Sequence, residues 1–208
     1  MNWKTAPFLA TLYDFAVQNR TLSRLGARVL WNYDITHLHT LIAAQNPSAL
    51  TLDIPCGGGP SVTNNSRHVA ADLSPTMLKR ARRKTTTLIQ TDIYNLPFPT
   101  STFDTCLTYN GLHCLEDPQA ALHELTRVLR PGGTLQGTTL IRGAGRDPLI
   151  NLLRRQGVFG NPGTRTDLQT WLQAAPLTDI TLTPSGAVTA FTARKSGTHH
   201  SPASAKVD

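Results

Sequence analysis

Residues Leu50 to Pro60 read Leu-Thr-Leu-Asp-Ile-Pro-Cys-Gly-Gly-Gly-Pro. An apolar run reaches Asp53 and then turns through three glycines. The run predicts a buried strand, and the glycines predict a turn whose backbone can approach a ligand closely. Working outward, His68-Val-Ala-Ala-Asp72 is a second apolar stretch that ends on a carboxylate. Leu88-Ile-Gln-Thr-Asp92 is a third. Three strand ends, each bearing an aspartate at near-regular spacing, predict a parallel sheet that binds a nucleoside-containing ligand along its C-terminal edge.

The elements around this core alternate. Strands are expected at 49–54, 67–71, 87–91, 103–109, 133–140, 178–184 and 187–194, with helices at 74–84, 117–129 and 165–175. Alternation of this kind argues for βαβ units. Ser74-Pro75 and Asp117-Pro118 each supply an N-cap followed by proline at the first helical position. Arg130-Pro131-Gly132-Gly133 stops the second of these helices, and Pro184-Ser185-Gly186 marks a hairpin turn. Residues 8–45 carry apolar side chains at helical spacing, and residues 196–208 are polar and read as a disordered tail. The resulting organisation is a helical region over 1–45, an α/β domain over 46–195 and the tail.

Composition narrows the function classes. A chain of 208 residues with 39% hydrophobic and 16% charged residues suits one soluble domain. The net charge of +7 favours acidic partners. Its densest cluster, Leu78 to Lys84, reads first as a solvated helix face and second as a nucleic-acid contact. Cys56, Cys106 and Cys114 lack any CxxC spacing, so free thiols in a reducing compartment are expected. Neither a signal peptide nor a membrane span is expected, which predicts a cytoplasmic location. No His, Asp or Glu cluster has metal-ligand spacing, and no metal requirement is expected.

The ligand side follows from the strand ends. Gly57, Gly58 and Gly59 allow positive φ and close backbone approach. Asp72 can accept two hydrogen bonds from ribose hydroxyls, Asp92 can accept from an adenine amino group, and the backbone of Ile93 can read the ring edge. Leu73 or Ile93 can pack on the adenine face. A dinucleotide fingerprint fails for lack of its third glycine, and a Walker loop fails for lack of a following Gly-Lys-Ser/Thr.

With these residues in place the sequence resembles the class I S-adenosylmethionine-dependent methyltransferases of the type 11 group, over roughly residues 30–194. Leu50 to Pro60 is similar to the family's first motif. Val69 to Leu78 is similar to the second, and Thr91 to Leu107, with its Leu96-Pro-Phe-Pro99 run and Phe103-Asp104, to the third. Tyr109 to Leu135 is similar to the segment carrying the fourth strand, its helix and the fifth strand. The resemblance implies a Rossmann-like, seven-stranded, mostly parallel sheet flanked by helices, with an N-terminal helical cap. It implies S-adenosylmethionine as cofactor and S-adenosylhomocysteine as product. Asp53, Pro55, Cys56, Gly57, Gly59, Asp72, Leu73, Asp92, Ile93, Tyr109 and Asn110 would hold the cofactor, with Tyr109 and Asn110 near its methionine part. His113 is the candidate general base, because an unperturbed imidazole titrates near neutrality; packing or orientation of the cofactor is its other role. Arg142 and Arg146 could line one wall of an acceptor pocket, and Tyr33 could reach the cofactor carboxylate.

Two departures stand out. Pro55 occupies the place of the family's first glycine, and only seven residues, Pro60 to Ser66, separate Gly59 from Arg67 where a helix is usual. That crossover is expected to be short or irregular. The expected function is methyl transfer to a small-molecule acceptor at O, N or C, by a monomer or homodimer. An RNA methyltransferase is one alternative, although Tyr109-Asn-Gly-Leu112 is not an amino-methylating NPPY signature. A non-catalytic cofactor-binding regulator is the other.

Overall fold

The computed structural model describes residues 20–85 and 87–197. The expected helical stretch over 8–19 and the tail from 198 onward lie outside the described residues. Helix α1 spans Arg20–Trp31 and α2 spans Thr36–Ala43. The sheet strands are β1 (Thr51–Asp53), β2 (His68–Asp72), β3 (Leu88–Gln90), β4 (Phe103–Tyr109), β5 (Leu129–Leu140), β6 (Leu177–Ser185) and β7 (Val188–Lys195). Helices α3 (Pro75–Ala81), α4 (Pro118–Val128), α5 (Asp147–Arg155) and α6 (Arg165–Ala174) complete the fold.

The seven strands form one sheet in the order β3-β2-β1-β4-β5-β7-β6. β1 pairs in parallel with both β2 and β4, while β7 runs antiparallel to β5 and β6. The sheet is therefore Rossmann-like and mostly parallel, with helices on both faces. Strand order reverses at β1, between β2 and β4, and such a switch point opens a crevice at the carboxyl ends.

Each face has its own apolar core. On one, Leu52, Val69, Ala71 and Leu135 pack against Leu122 and Leu125 of α4 and Leu168 and Leu172 of α6. On the other, Leu107, Tyr109 and Leu140 pack with Tyr33 and Leu38, and Ala27 and Trp31 of α1 lie against them. A smaller cluster joins Ala70 of β2 to Cys56, Val62 and Ala81.

Local signals explain most element ends. The Ser74 hydroxyl accepts from Met77 N, and Asp117 Oδ1 accepts from Ala120 N at 2.9 Å. Thr164 and Asp167 form a reciprocal capping box at the start of α6. β5 begins four residues earlier than the sequence predicts. Leu129 pairs with Phe103, the next matched pair is Thr134 with Thr105, and the residues between form an irregularity in the ladder. Pro131 has no N–H to give the ladder, and Gly132 adopts φ +73°.

Helix α5 is absent from the sequence-based expectations, which read only a glycine-containing loop after β5. Its signals are nevertheless present. Asp147-Pro148 opens it, and Leu149, Ile150 and Leu153 fall at helical spacing, with Ile150 fully buried. Between β1 and β2 no helix forms, so the crossover is irregular throughout, further from a helix than the expected shortening. No helix among the described residues is long and apolar enough to cross a membrane.

Candidate functional site

The order β3-β2-β1-β4 brings Asp53, Asp72, Asp92 and Asn110 to one edge of the sheet. The glycine turn connects them. Gly57 and Gly59 take φ of +54° and +81°, the left-handed region that glycine enters without strain. Cys56 N donates to Ala71 O at 2.8 Å, and Gly59 N donates to Cys56 O at 2.9 Å. Lys84, the last residue of the basic cluster, donates Nζ to Gly59 O at 2.5 Å. Part of that cluster therefore braces the turn.

Asp72 has a structural task as well as its expected one. Oδ2 accepts from Gly57 N at 2.9 Å and Oδ1 accepts from Ser74 N at 2.8 Å. The carboxylate thus ties the turn to the end of β2 and the start of α3. Burial pushes its pKa up, opposed by the backbone donors of Ser74 and Gly57. Each oxygen keeps a second lone pair for a ribose hydroxyl.

Asp92 is exposed, and Oδ1 accepts from Tyr94 N at 3.0 Å. The side chain of Ile93 corrects one expectation. It is 5% exposed and belongs to the core beneath the sheet, so it does not offer itself to an adenine face. Leu73, 54% exposed, is the apolar side chain that remains free at this rim. The segment after Asp92 is clamped by α4: Glu124 Oε1 accepts from Leu96 N at 2.8 Å. Arg127 pairs with Glu124 and donates to Phe98 O and Leu96 O at 2.9 and 3.1 Å. Asp104 braces the other end of β1, accepting from Leu50 N at 2.8 Å and pairing with Arg130 at 2.7 Å. No local signal marks Glu124, Arg127 or Asp104 for these roles, because their bonds to backbone atoms reach across 28 to 54 positions.

The segment after β4 is held by β5. Asn110 sits at φ +54°, strained for a residue with a Cβ though tolerable for asparagine. Its N–H donates to Thr138 O at 2.8 Å and its Oδ1 accepts from Thr138 Oγ1 at 3.0 Å. Gly111 makes room for Pro55: a Cβ at 111 would lie 2.5 Å from Pro55 Cγ. The proline that replaces the family's glycine is thus matched by a glycine opposite.

His113 is 3% exposed. Its Nδ1 accepts from Leu140 N at 3.4 Å, and its ring meets Phe159 edge-on at 4.7 Å. Burial pushes the imidazole pKa down to about 3. Tyr109 is buried, with Gln45 Nε2 3.5 Å from its hydroxyl. Tyr33 lies nearby on the same apolar face, with its hydroxyl buried and facing the backbone of Leu38. Burial pushes its pKa up to about 12. The Cys114 thiol is also pushed up to about 12, which suits an inert thiol rather than a nucleophile. Arg142 and Arg146 serve packing: Arg142 Nε donates to Pro162 O at 2.7 Å and Arg146 donates to Val29 O at 3.3 Å. A cleft of about 600 Å³ lies beside the post-β4 segment, lined by Glu116, Asn151, Arg154, Arg155 and Phe159 among others.

Residues 52–136, which contain all three aspartate-bearing strand ends, match the family described as a methyltransferase domain. Over that stretch the chain is similar to a methyltransferase domain. The demethylmenaquinone methyltransferase of Corynebacterium urealyticum is 33% identical over 135 residues, covering 61% of this chain and 57% of that protein. The malonyl-[acyl-carrier protein] O-methyltransferase of Herminiimonas arsenicoxydans is 36% identical over 104 residues, covering 47% of this chain and 40% of that protein. The chain thus spans about half the length of these curated relatives. A solved S-adenosylmethionine-dependent methyltransferase from Thermotoga maritima, described as a possible histamine N-methyltransferase, superposes with a TM-score of 0.67 at 14% identity. It covers 87% of this chain and 98% of that one, a likeness that establishes the fold.

S-adenosylmethionine is the cofactor that this methyltransferase family and fold imply, and the residues present fit it. The turn exposes backbone at positive φ, Asp72 keeps acceptor capacity, and Asp53 Oδ1 is a buried polar atom without a hydrogen-bond partner among the described residues.

Proposed function

We propose that this protein is an S-adenosylmethionine-dependent methyltransferase acting on a small-molecule acceptor. The observation that carries the reading is the convergence of the glycine turn, Asp72, Asp92 and Asn110 on the edge where strand order reverses. When bound, the cofactor supplies a methyl group on a sulfonium, open to in-line displacement. Asp72 would hold the ribose, Asp92 and the Ile93 backbone the adenine edge, and exposed Leu73 its face. Tyr109 and Asn110 would line the methionine end, with Asp53, Pro55, Cys56, Gly57 and Gly59 forming the floor.

The chain's contribution is then positioning, which can supply a large share of the acceleration. Two braces serve it: Thr138 fixes Asn110, and α4 fixes the segment that carries Asp92. His113 fits a positioning role better than a base role. Its Nδ1 already accepts from Leu140 N, and an imidazole held at about 3 is a weak base at neutral pH. Free thiols, both fully buried or nearly so at Cys56 and Cys106, accord with a cytoplasmic enzyme.

Calorimetry with S-adenosylmethionine and S-adenosylhomocysteine tests the reading. Both should bind, and Asp72→Ala should weaken both by about 1–3 kcal/mol through loss of charge-assisted hydrogen bonds. Absence of binding by either ligand to the wild type would sink the proposal. Mass spectrometry of small metabolites after incubation with methyl-labelled cofactor would then identify the acceptor.

A further inference from the structure

The segment that replaces the first crossover helix is ordered by its own side chains. Ser61 Oγ donates to Asp53 Oδ2 at 2.6 Å. His68, the first residue of β2, brings Nε2 to 3.5 Å from the same oxygen. On the far side of that ring, Nδ1 lies 3.3 Å from Thr63 Oγ1. Asn65 anchors the middle of the segment, donating to Pro47 O at 2.6 Å and accepting from Arg67 N at 2.9 Å. Asp53, Ser61 and His68 are 0%, 2% and 3% exposed.

The arrangement follows from register. Thr51 pairs with His68 and Asp53 pairs with Ala70, so Asp53 and His68 project to the same face of the sheet. That face is the one where a crossover helix is missing. A helix there would supply apolar side chains; the loop supplies Ser61 and Thr63 instead.

Asp53 is left half-satisfied. Oδ1 has no hydrogen-bond partner among the described residues, although the residue is fully buried. A buried carboxylate oxygen without a donor is costly, and a cationic donor is the group that best relieves it. The carboxylate also sits amid the strand ends: its negative charge acts on Cys56 of the turn, Asp72 of β2 and Tyr109 of β4.

We propose that Ser61 and His68 are positioning residues, which hold one oxygen of Asp53 so that the other is presented to the α-ammonium group of the cofactor's amino-acid part. Ser61 restrains Oδ2 by a short hydrogen bond, and the His68 ring, itself held at Thr63, blocks rotation of the carboxylate. The short first crossover is then a specific device for the amino-acid end of the ligand. This inference rests on the cofactor reading given above.

The test compares two ligands by calorimetry. S-adenosylhomocysteine carries the amino-acid part, and 5′-methylthioadenosine keeps the nucleoside and thioether but lacks it. Ser61→Ala and His68→Asn should each lose roughly 10-fold in affinity for S-adenosylhomocysteine, the scale of one charge-assisted hydrogen bond. Affinity for 5′-methylthioadenosine should change less than about 2-fold, since the Asp72 and Asp92 contacts stay. A merely structural role would weaken both ligands together. Equal loss for the two ligands, or no loss for either, overturns the proposal while the cofactor reading stands. If His68→Asn fails to fold, Ser61→Ala, which removes one hydroxyl oxygen, decides alone. A wild-type protein that binds neither ligand overturns the cofactor reading and this proposal with it.

Discussion

Replacing His113 by Asn gives the sharpest test of how this site is built. The imidazole is 3% exposed and is held at a pKa of about 3 by burial. In the unfolded chain the same group titrates near 6.5. Between these values the unfolded state binds a proton that the folded state does not. Stability must therefore fall as pH drops through that window. Proton linkage with these two values removes about 2 kcal/mol of stability between pH 7 and pH 5 from this one side chain, and more as pH approaches 3. Asn has no titrating group, and its side-chain oxygen can stand near the place of Nδ1 to accept from Leu140 N. Urea unfolding of both proteins at pH 7 and pH 5 measures the effect. The wild type should be the more stable at pH 7, because the variant leaves space beside Phe159. That advantage should shrink by about 2 kcal/mol at pH 5. The comparison cancels the titration of the other histidines, which both proteins share. An advantage that stays constant to within about 0.5 kcal/mol would refute the buried, neutral imidazole and restore His113 as a candidate base.

Three further predictions concern the braces around the strand ends. Gly111→Ala drives a Cβ into the Pro55 ring and should cost about 1–3 kcal/mol in chemical denaturation; adding Pro55→Gly should recover much of it, and strict additivity of the two changes would exclude the contact. Asp104→Ala leaves Leu50 N and Arg130 without their acceptor and should lower stability by about 1–3 kcal/mol, measurable as a shift in the urea midpoint; an unchanged midpoint would refute its bracing of β1. Glu124→Ala frees Leu96 N and loosens the segment after Asp92, so calorimetry should show weaker S-adenosylhomocysteine binding by a few-fold, whereas unaltered affinity would show that Arg127 alone suffices as a clamp.

The strand ends were legible because their signals are local. An apolar run closing on aspartate, a glycine turn, Ser74-Pro75 and Asp117-Pro118 each act within a few residues, and each appears in the structure where the sequence places it. The short first crossover was legible too, since seven residues rich in Asn and Ser cannot build a stable helix there. Helix α5 carries local signals of its own in Asp147-Pro148 and the spacing of Leu149, Ile150 and Leu153, but the segment is short and follows Gly143 and Gly145, whose local pattern is that of a loop.

Other features had no local signal at all. Ile93 and Leu73 look alike in sequence as apolar neighbours of an aspartate. Only the packing decides that one enters the core and the other faces out. His113 is a histidine beside the proposed cofactor site in either reading, and its solvation, set by Phe159 and β5, decides its proton affinity. Asp53 reads as one more acidic strand end, yet its partners Ser61 and His68 reach it from the crossover and the adjacent strand. By itself, then, the sequence determined the kind of fold and the family of ligand, because periodicity, caps and turns are properties of neighbouring residues. The tertiary structure alone decided which polar atoms are satisfied, which are left bare and which side chains face solvent, because burial and hydrogen bonding depend on residues that only folding brings together.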